Sequence, residues 1–277
     1  MYSGALAYHT KFCPRWKQRG RSRGLTLIEL LMASAATAII ALGLASLAVA
    51  VYAGHEHVAG RTSTAQHGRV CLERIRTHVE GAHASESFPG CITFAESVGT
   101  NSFPEILVIW APITTPANPT GLPQQKELII IAPDPADPAR LLECTRPTNS
   151  TVVPALSNVT AWFSLIDEFR ETATDVSRAE LTNLLRVGEI NRSGTITERG
   201  AARFQVRMTP SETDWASYRA GTKTWNALNW PLDFRGANVG LRRVTCSVEL
   251  QLVPEGASAA QCLPFFGAAA LTYSLAR

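Results

Sequence analysis

The chain has 277 residues, 45% hydrophobic and 18% charged, with a formal net charge of +3. That apolar content excludes a wholly disordered chain, and the length allows one or two domains with a sizeable core. The basic excess is local. Residues 1–24 carry Lys11, Arg15, Lys17, Arg19, Arg21 and Arg23 and no acid, and removing these six of the 26 Lys+Arg leaves 20 against 23 Asp+Glu. The remainder is mildly acidic, so net charge gives no reason to expect a nucleic-acid partner.

From Leu30 to Gly54 there are 25 consecutive residues without a charge. As a helix this run reaches roughly 37 Å at about 1.5 Å per residue, more than the ~30 Å hydrocarbon core of a bilayer. No other segment approaches it, so the chain reads as single-pass. The basic residues before it, against Glu56 just after, place the amino terminus in the cytoplasm and the rest outside. A secretory signal peptide has a shorter apolar region of about 7–15 residues, although Ala48-Val49-Ala50 offers a small-x-small site. Neither that reading nor a plain anchor accounts for Glu29, which sits among Leu25, Leu27, Ile28, Leu30, Leu31 and Met32. An ionised carboxylate in hydrocarbon costs at least about 2–3 kcal/mol and usually has a partner. The following run offers no charge, so the pattern predicts a partner from another chain or from a newly made amino terminus.

Gly24-Leu25-Thr26-Leu27-Ile28-Glu29-Leu30-Leu31, behind a basic leader and ahead of an apolar helix, resembles the processing motif of type IV prepilins and pseudopilins. The resemblance covers about 30 residues. It implies cleavage between Gly24 and Leu25 by a membrane prepilin peptidase, N-methylation of Leu25, and an assembly role for Glu29 facing a neighbouring subunit's amino terminus. It further implies other pilin or pseudopilin subunits, an inner-membrane assembly platform and membrane lipid as partners, with no cofactor. The location implied is a bacterial inner membrane, crossed once, with the head periplasmic. Three departures stand out: Leu25 replaces the usual phenylalanine, the leader is long, and the apolar segment has no kinking proline. The fold implied is α+β and pilin-like. Residues 1–24 form a leader, 25–54 the membrane half of a long helix, 55–84 its outer half, and 85–277 a β-rich antiparallel head.

The residues beyond Gly54 support that organisation independently. Ala65, Gly68, Leu72, Ile75, Val79 and Ala82 recur at spacings of three and four, predicting a helix that Gly81 and the Pro89 segment stop. Ile106–Trp110 and Leu128–Ile131 are continuous apolar runs suited to central strands. Pro112, Pro116, Pro119 and Pro123 mark a long loop between them, and Pro133, Pro135 and Pro138 mark another. Val159, Ala161, Phe163 and Leu165 form a third alternating run and predict a strand. Ser177-Arg178-Ala179-Glu180, ahead of Leu181, Leu184 and Leu185, predicts a capping box and a short helix. Phe204, Val206 and Met208 predict another strand, as do Val244, Cys246, Val248, Leu250 and Leu252. A head this large and β-rich resembles the minor subunits of the family, such as the J-like pseudopilin or the W-like minor pilin.

Beyond the leader five cysteines remain: Cys71, Cys91, Cys144, Cys246 and Cys262. An extracytoplasmic head permits disulfides, and an odd count leaves one thiol unpaired in the monomer. The resemblance suggests a Cys246–Cys262 staple of the C-terminal loop, with Cys71–Cys91 tying helix to head; simple burial of several thiols is the alternative. His55 and His57 are two apart, on opposite sides of a helix, so no metal site is expected there. Asp134 and Asp137 are too few for the six to eight oxygens calcium takes. Three glycosylation-type triplets begin at Asn149, Asn158 and Asn191. Trp162, Trp215, Trp225 and Trp230 read as buried anchors, with the Trp215–Trp230 stretch a subunit contact if exposed. No G-x-S-x-G, P-loop, H-E-x-x-H or C-x-x-C motif is present, which argues against an enzyme. The expected function is a structural minor pseudopilin or pilin subunit of a type II secretion or type IV pilus system. The alternative is a membrane-anchored periplasmic binding or adhesion module that does not polymerise.

Overall fold

The computed structural model describes residues 26–192 and 195–277. Two compact units divide at His55/Glu56. The first unit is helical. Helix α1 runs Leu27–Glu80, and its apolar part has an 18-residue stretch of mean hydropathy 2.2, long and apolar enough to cross a membrane. From Leu27 to Tyr52 the large apolar side chains are more than half exposed. The few hydroxyls in this stretch are satisfied within the helix: Ser34 donates to the Leu31 carbonyl at 2.9 Å and Ser46 to the Gly43 carbonyl at 2.9 Å. That internal pairing suits a helix with no water to bond.

The second unit is α+β. A five-stranded antiparallel sheet has the order β1 (Cys91–Val98), β2 (Asn101–Trp110), β3 (Leu128–Pro133), β4 (Leu141–Thr145) and β5 (Ser177–Thr182). On one face lies helix α2 (Val159–Asp167), continued by a π-helical turn Glu168–Thr172. A two-stranded hairpin follows, β6 (Val187–Arg192) with β7 (Thr195–Gly200). Then come β8 (Ala202–Thr209), helix α3 (Glu212–Arg219), β9 (Val239–Leu252) and β10 (Leu263–Ala276). The last three strands form a second antiparallel sheet, β10-β9-β8.

The continuous apolar runs have a direct physical cause. Ile106, Val108 and Trp110 face a core shared with Trp162, Leu165, Ile166 and Phe169 of the α2 segment. Leu107 and Ile109 face the opposite core, shared with α1 and the second sheet. Both faces of β3 and of residues 105–110 of β2 are therefore dry, and each buried Ile or Leu contributes about 1.5–3 kcal/mol. In β9 only one face is dry: Val244, Cys246, Val248, Leu250 and Leu252 are buried, with Ser247 between them exposed. The alternation expected for β8 and β9 is present.

The outer half of α1 presents Thr64, Gly68, Cys71, Ile75 and Val79 to that core, and the helix ends at Glu80, where Gly81 was expected to stop it. Gly68 permits the close approach of β10, because a methyl there would meet the Phe265 ring at 2.6 Å.

Two expected elements are corrected. The Val159–Leu165 alternation is not a strand but the helix α2. A strand would leave Trp162 on the face opposite Leu165. The helix instead gathers Trp162, Leu165, Ile166 and Phe169 at i, i+3, i+4 and i+7, and Asn158 caps it by accepting from the Ala161 amide at 3.2 Å. Conversely, Ser177–Glu180 does not open a helix. These residues are the edge strand β5, whose Arg178 and Ala179 pair with Cys144 and Glu143 of β4. Ladder pairing with a formed sheet outweighs a local capping pattern.

Candidate functional site

The start of α1 is the candidate site, and two residues build it. Thr26 is the last residue before the helix and Glu29 lies in its first turn. The Thr26 amide donates to Glu29 Oε2 at 3.0 Å and the Thr26 hydroxyl donates to the same oxygen at 3.1 Å. The Glu29 amide donates back to Thr26 Oγ1 at 3.3 Å. This is a reciprocal capping box: it satisfies helix-start donors and places a negative charge at the positive end of the helix dipole. Thr26 thus gives Glu29 a hydrogen-bonding partner within the chain, beside the one expected from another chain or a newly made amino terminus. Thr26 is neutral, however, so the carboxylate charge itself has no counter-charge among the described residues. Gly24 and Leu25, the expected cleavage pair, lie outside the described residues, as do the basic leader and Ser193 of the third glycosylation-type triplet.

The cysteines are arranged differently from the suggested staples. All five are free thiols. Cys246 faces Ala269 across the β9–β10 ladder, whereas Cys262 precedes Leu263, the partner of Leu252 at the far end. Six strand positions separate the two, beyond the ~7 Å Cα limit of a disulfide. The Cys71 thiol donates instead to the Leu181 carbonyl at 3.1 Å. Cys91 is likewise a free, buried thiol, and the neighbouring Cys246 thiol together with burial pushes it far above the usual thiol range. Burial pushes the Cys71 and Cys144 thiols up to about 11.

The tryptophans are interior. Trp162, Trp215, Trp225 and Trp230 are all buried, so their rings form no surface platform, although the chain between them is exposed at residues 219–222, Asn226, Ala227 and Asn229. Trp225 and Trp230 pack with centroids 4.6 Å apart and their ring nitrogens donate to the carbonyls of Gly236 and Trp225. The exposed apolar side chains come just afterwards, at Leu232 and Phe234, where Leu232 adopts a left-handed φ of 51°.

Two ion networks built on the buried carboxylates Glu143 and Glu105 carry no local sequence signal, because their members lie far apart in the chain. Arg74 of α1 forks onto Glu143 of β4, which also meets His78 at 3.2 Å. Burial alone would raise the Glu143 carboxyl, but the hydrogen bonds from Arg74 and His78 outweigh it and hold it down at about 2. Arg199 of β7 bridges Glu96 and Glu105, and Arg170 also pairs with Glu96. Burial dominates at Glu105 and raises its pKa, whereas the two guanidiniums prevail over burial at Glu96 and lower it. This network lines a cavity of about 360 Å³ with Phe163, Asp167 and Glu171.

His55 and His57 are exposed on α1. Asp134 pairs with Arg140 at 3.0 Å and accepts from the Ala136 amide, while Asp137 accepts from the Ala139 amide, so both carboxylates serve loop turns. Among the described residues no three His, Cys, Asp or Glu side chains are grouped to hold a metal ion. Comparison with known proteins finds no matching family model, no similar curated protein and no similar solved structure.

Proposed function

We propose that this chain is a structural subunit of a pilin-like assembly: a minor pseudopilin of type II secretion or a minor pilin of a type IV pilus. It is inserted through α1 in a bacterial inner membrane, cut between Gly24 and Leu25 by a prepilin peptidase, N-methylated at Leu25, and assembled with other subunits through the inner-membrane platform. The observation that carries the reading is Glu29, an acid at the head of the apolar half of α1 whose partner among the described residues is neutral. In low dielectric such a charge favours a cationic partner strongly, and a neighbouring subunit's amino terminus is a cation at the membrane face. The β-rich second unit, without a recognised catalytic motif, fits a non-catalytic head.

Mass spectrometry of the mature amino terminus, from cells containing a prepilin peptidase, tests this. N-methylated Leu25 as the first residue is the expected result. An intact Met1, or cleavage near Ala50, overturns it and favours an anchored binding module or a secreted head.

A further inference from the structure

Strand β10 is an edge of the second sheet, with β9 on one side and no strand on the other. It is fourteen residues long, where strands usually run about 3–10, and Leu263–Ala276 contains no charged residue. The ladder shows which of its backbone groups are free. The Arg277 amide donates to the Asn238 carbonyl at 2.9 Å, one rung beyond the Ala276–Val239 pair. Backbone groups in a strand point alternately to one side and the other. Odd-numbered residues of β10 therefore bond to β9, and even-numbered ones aim their groups away from it. The Gln251 amide, donating to the Ala201 carbonyl one rung beyond the Leu250–Ala202 pair, fixes the same phase on β9. Phe266, Ala268, Ala270, Thr272, Ser274 and Ala276 thus line an open edge. All are exposed, and their backbone groups have no protein partner on that side among the described residues.

The other edges of the two larger sheets carry charge: Glu96 on β1, Arg178 and Glu180 on β5, and Arg203 and Arg207 on β8. Charged side chains are a common means of keeping an edge from pairing, and β10 has none. Between α1 and this part of β10 lies a cavity of about 280 Å³, lined by Arg69, Leu72, Arg76, Phe266 and Ala269. A strand added to β10 would point alternate side chains toward that space.

We propose that the outer edge of β10 takes a β-strand from a different protein subunit, extending the second sheet by one strand. The direction of α1 selects a different chain over a second copy. Gly60 approaches Glu255, Gly68 approaches Phe265 and Leu72 approaches Gly267, so α1 and β10 run the same way. Two copies meeting edge to edge about a two-fold axis would pair antiparallel and set their α1 helices in opposite directions. Chains inserted through α1 from the same side of one membrane cannot do so; this step rests on the membrane placement proposed above. Ala268, Ala270 and Thr272 offer no counter-charge, so the partner segment is uncharged along its pairing stretch. It carries a large apolar residue for the cavity beside Leu72.

The probe is a synthetic copy of Leu263–Ala276 with a lysine tail for solubility, an uncharged strand of the required kind. It is added to the full chain in detergent, and hydrogen exchange is read amide by amide. In the free chain the amides of Gly267, Ala269 and Leu271 should be protected and those of Ala268, Ala270 and Thr272 open. The peptide should slow the second set on the order of tenfold or more. Ala270→Pro removes an outward N–H that the fold does not use, so the melting temperature should hold while the peptide effect disappears. Ala270→Lys places a charge on the edge and should also abolish it. Protection of the second set in the free chain, no response to the peptide, or a response kept in both variants overturns the proposal. A photo-crosslinker at Thr272, in membranes of the cells that make this chain, reports the occupant. An adduct with a different protein, lost in Ala270→Pro, is expected; a homodimer adduct makes the occupant a second copy and overturns the assignment. The peptide assay is independent of amino-terminal processing, so an intact Met1 would overturn the reading above and leave the open edge standing.

Discussion

Glu29 and Thr26 hold each other reciprocally at the first turn of α1, with Thr26 giving two hydrogen bonds to one carboxylate oxygen and receiving one from the Glu29 amide. Capping and charge are thus two separable properties of one side chain. Glu29→Gln keeps a group that can close the capping box but removes the charge, whereas Thr26→Val removes the cap and keeps the charge. If the charge serves assembly, Glu29→Gln should abolish cross-linking of the chain to neighbouring subunits in membranes, and Thr26→Val should retain most of it. Helix content by circular dichroism should change little in either. The reverse ranking would make Glu29 a capping residue only.

Trp162 is fully buried where α2 meets the five-stranded sheet, packed on Phe88 and Phe94. Trp162→Ala should lower unfolding free energy by about 3–5 kcal/mol in urea titrations. Val159→Thr, at an exposed position on the same helix, should stay within about 0.5 kcal/mol.

Gly68 leaves no room for a side chain beneath Phe265. Gly68→Ala gains helix propensity of about 1 kcal/mol but must displace an aromatic ring. Net destabilisation is expected, read as a lower melting temperature, and Phe265→Leu should partly relieve it.

Acid should weaken the second unit through Glu143. Its folded pKa of about 2 lies below the ordinary carboxylate value, so its contribution is fully present above about pH 4.3 and is lost as pH falls toward 2. The carboxylate is buried but Arg74 is half exposed, so solvent reduces the effect to roughly 1–2 kcal/mol. Stability measured in urea between pH 5 and pH 2.5 should fall less steeply for Glu143→Gln than for the parent chain. Equal slopes would assign the acid sensitivity elsewhere.

The parts of this fold legible in the sequence are those written in a single period over a long run. The apolar stretch of α1, the spacing of Gly68, Ile75 and Val79, and the alternation of β9 all follow from one buried face. Short elements whose burial depends on distant partners were not legible. In α2, Val159, Ala161, Phe163 and Leu165 mimic a strand, and only the core behind the sheet selects Trp162 and Ile166 instead. β5 carries a helix-start pattern, and only β4 beside it makes it a strand. At the candidate site the acid was conspicuous as a charge among leucines. The Thr26 cap is a neutral contact three residues away and supplies no counter-charge, so a pattern read through charge does not reveal it. The arginine networks join residues far apart in the chain, and no local pattern encodes them.

The fourteen-residue ladder between β9 and β10 also has a mechanical meaning. Its two strands are antiparallel, so Val239 and Ala276 lie at one end, and tension applied between them would peel the rungs apart one at a time. Tension applied between Val239 of β9 and Phe265 of β10, which lie toward opposite ends of the ladder, would load the rungs together, in shear. The same ribbon is therefore compliant in one pulling direction and stiff in the other, and single-molecule force measurements from those two pairs of attachment points should give clearly different rupture forces.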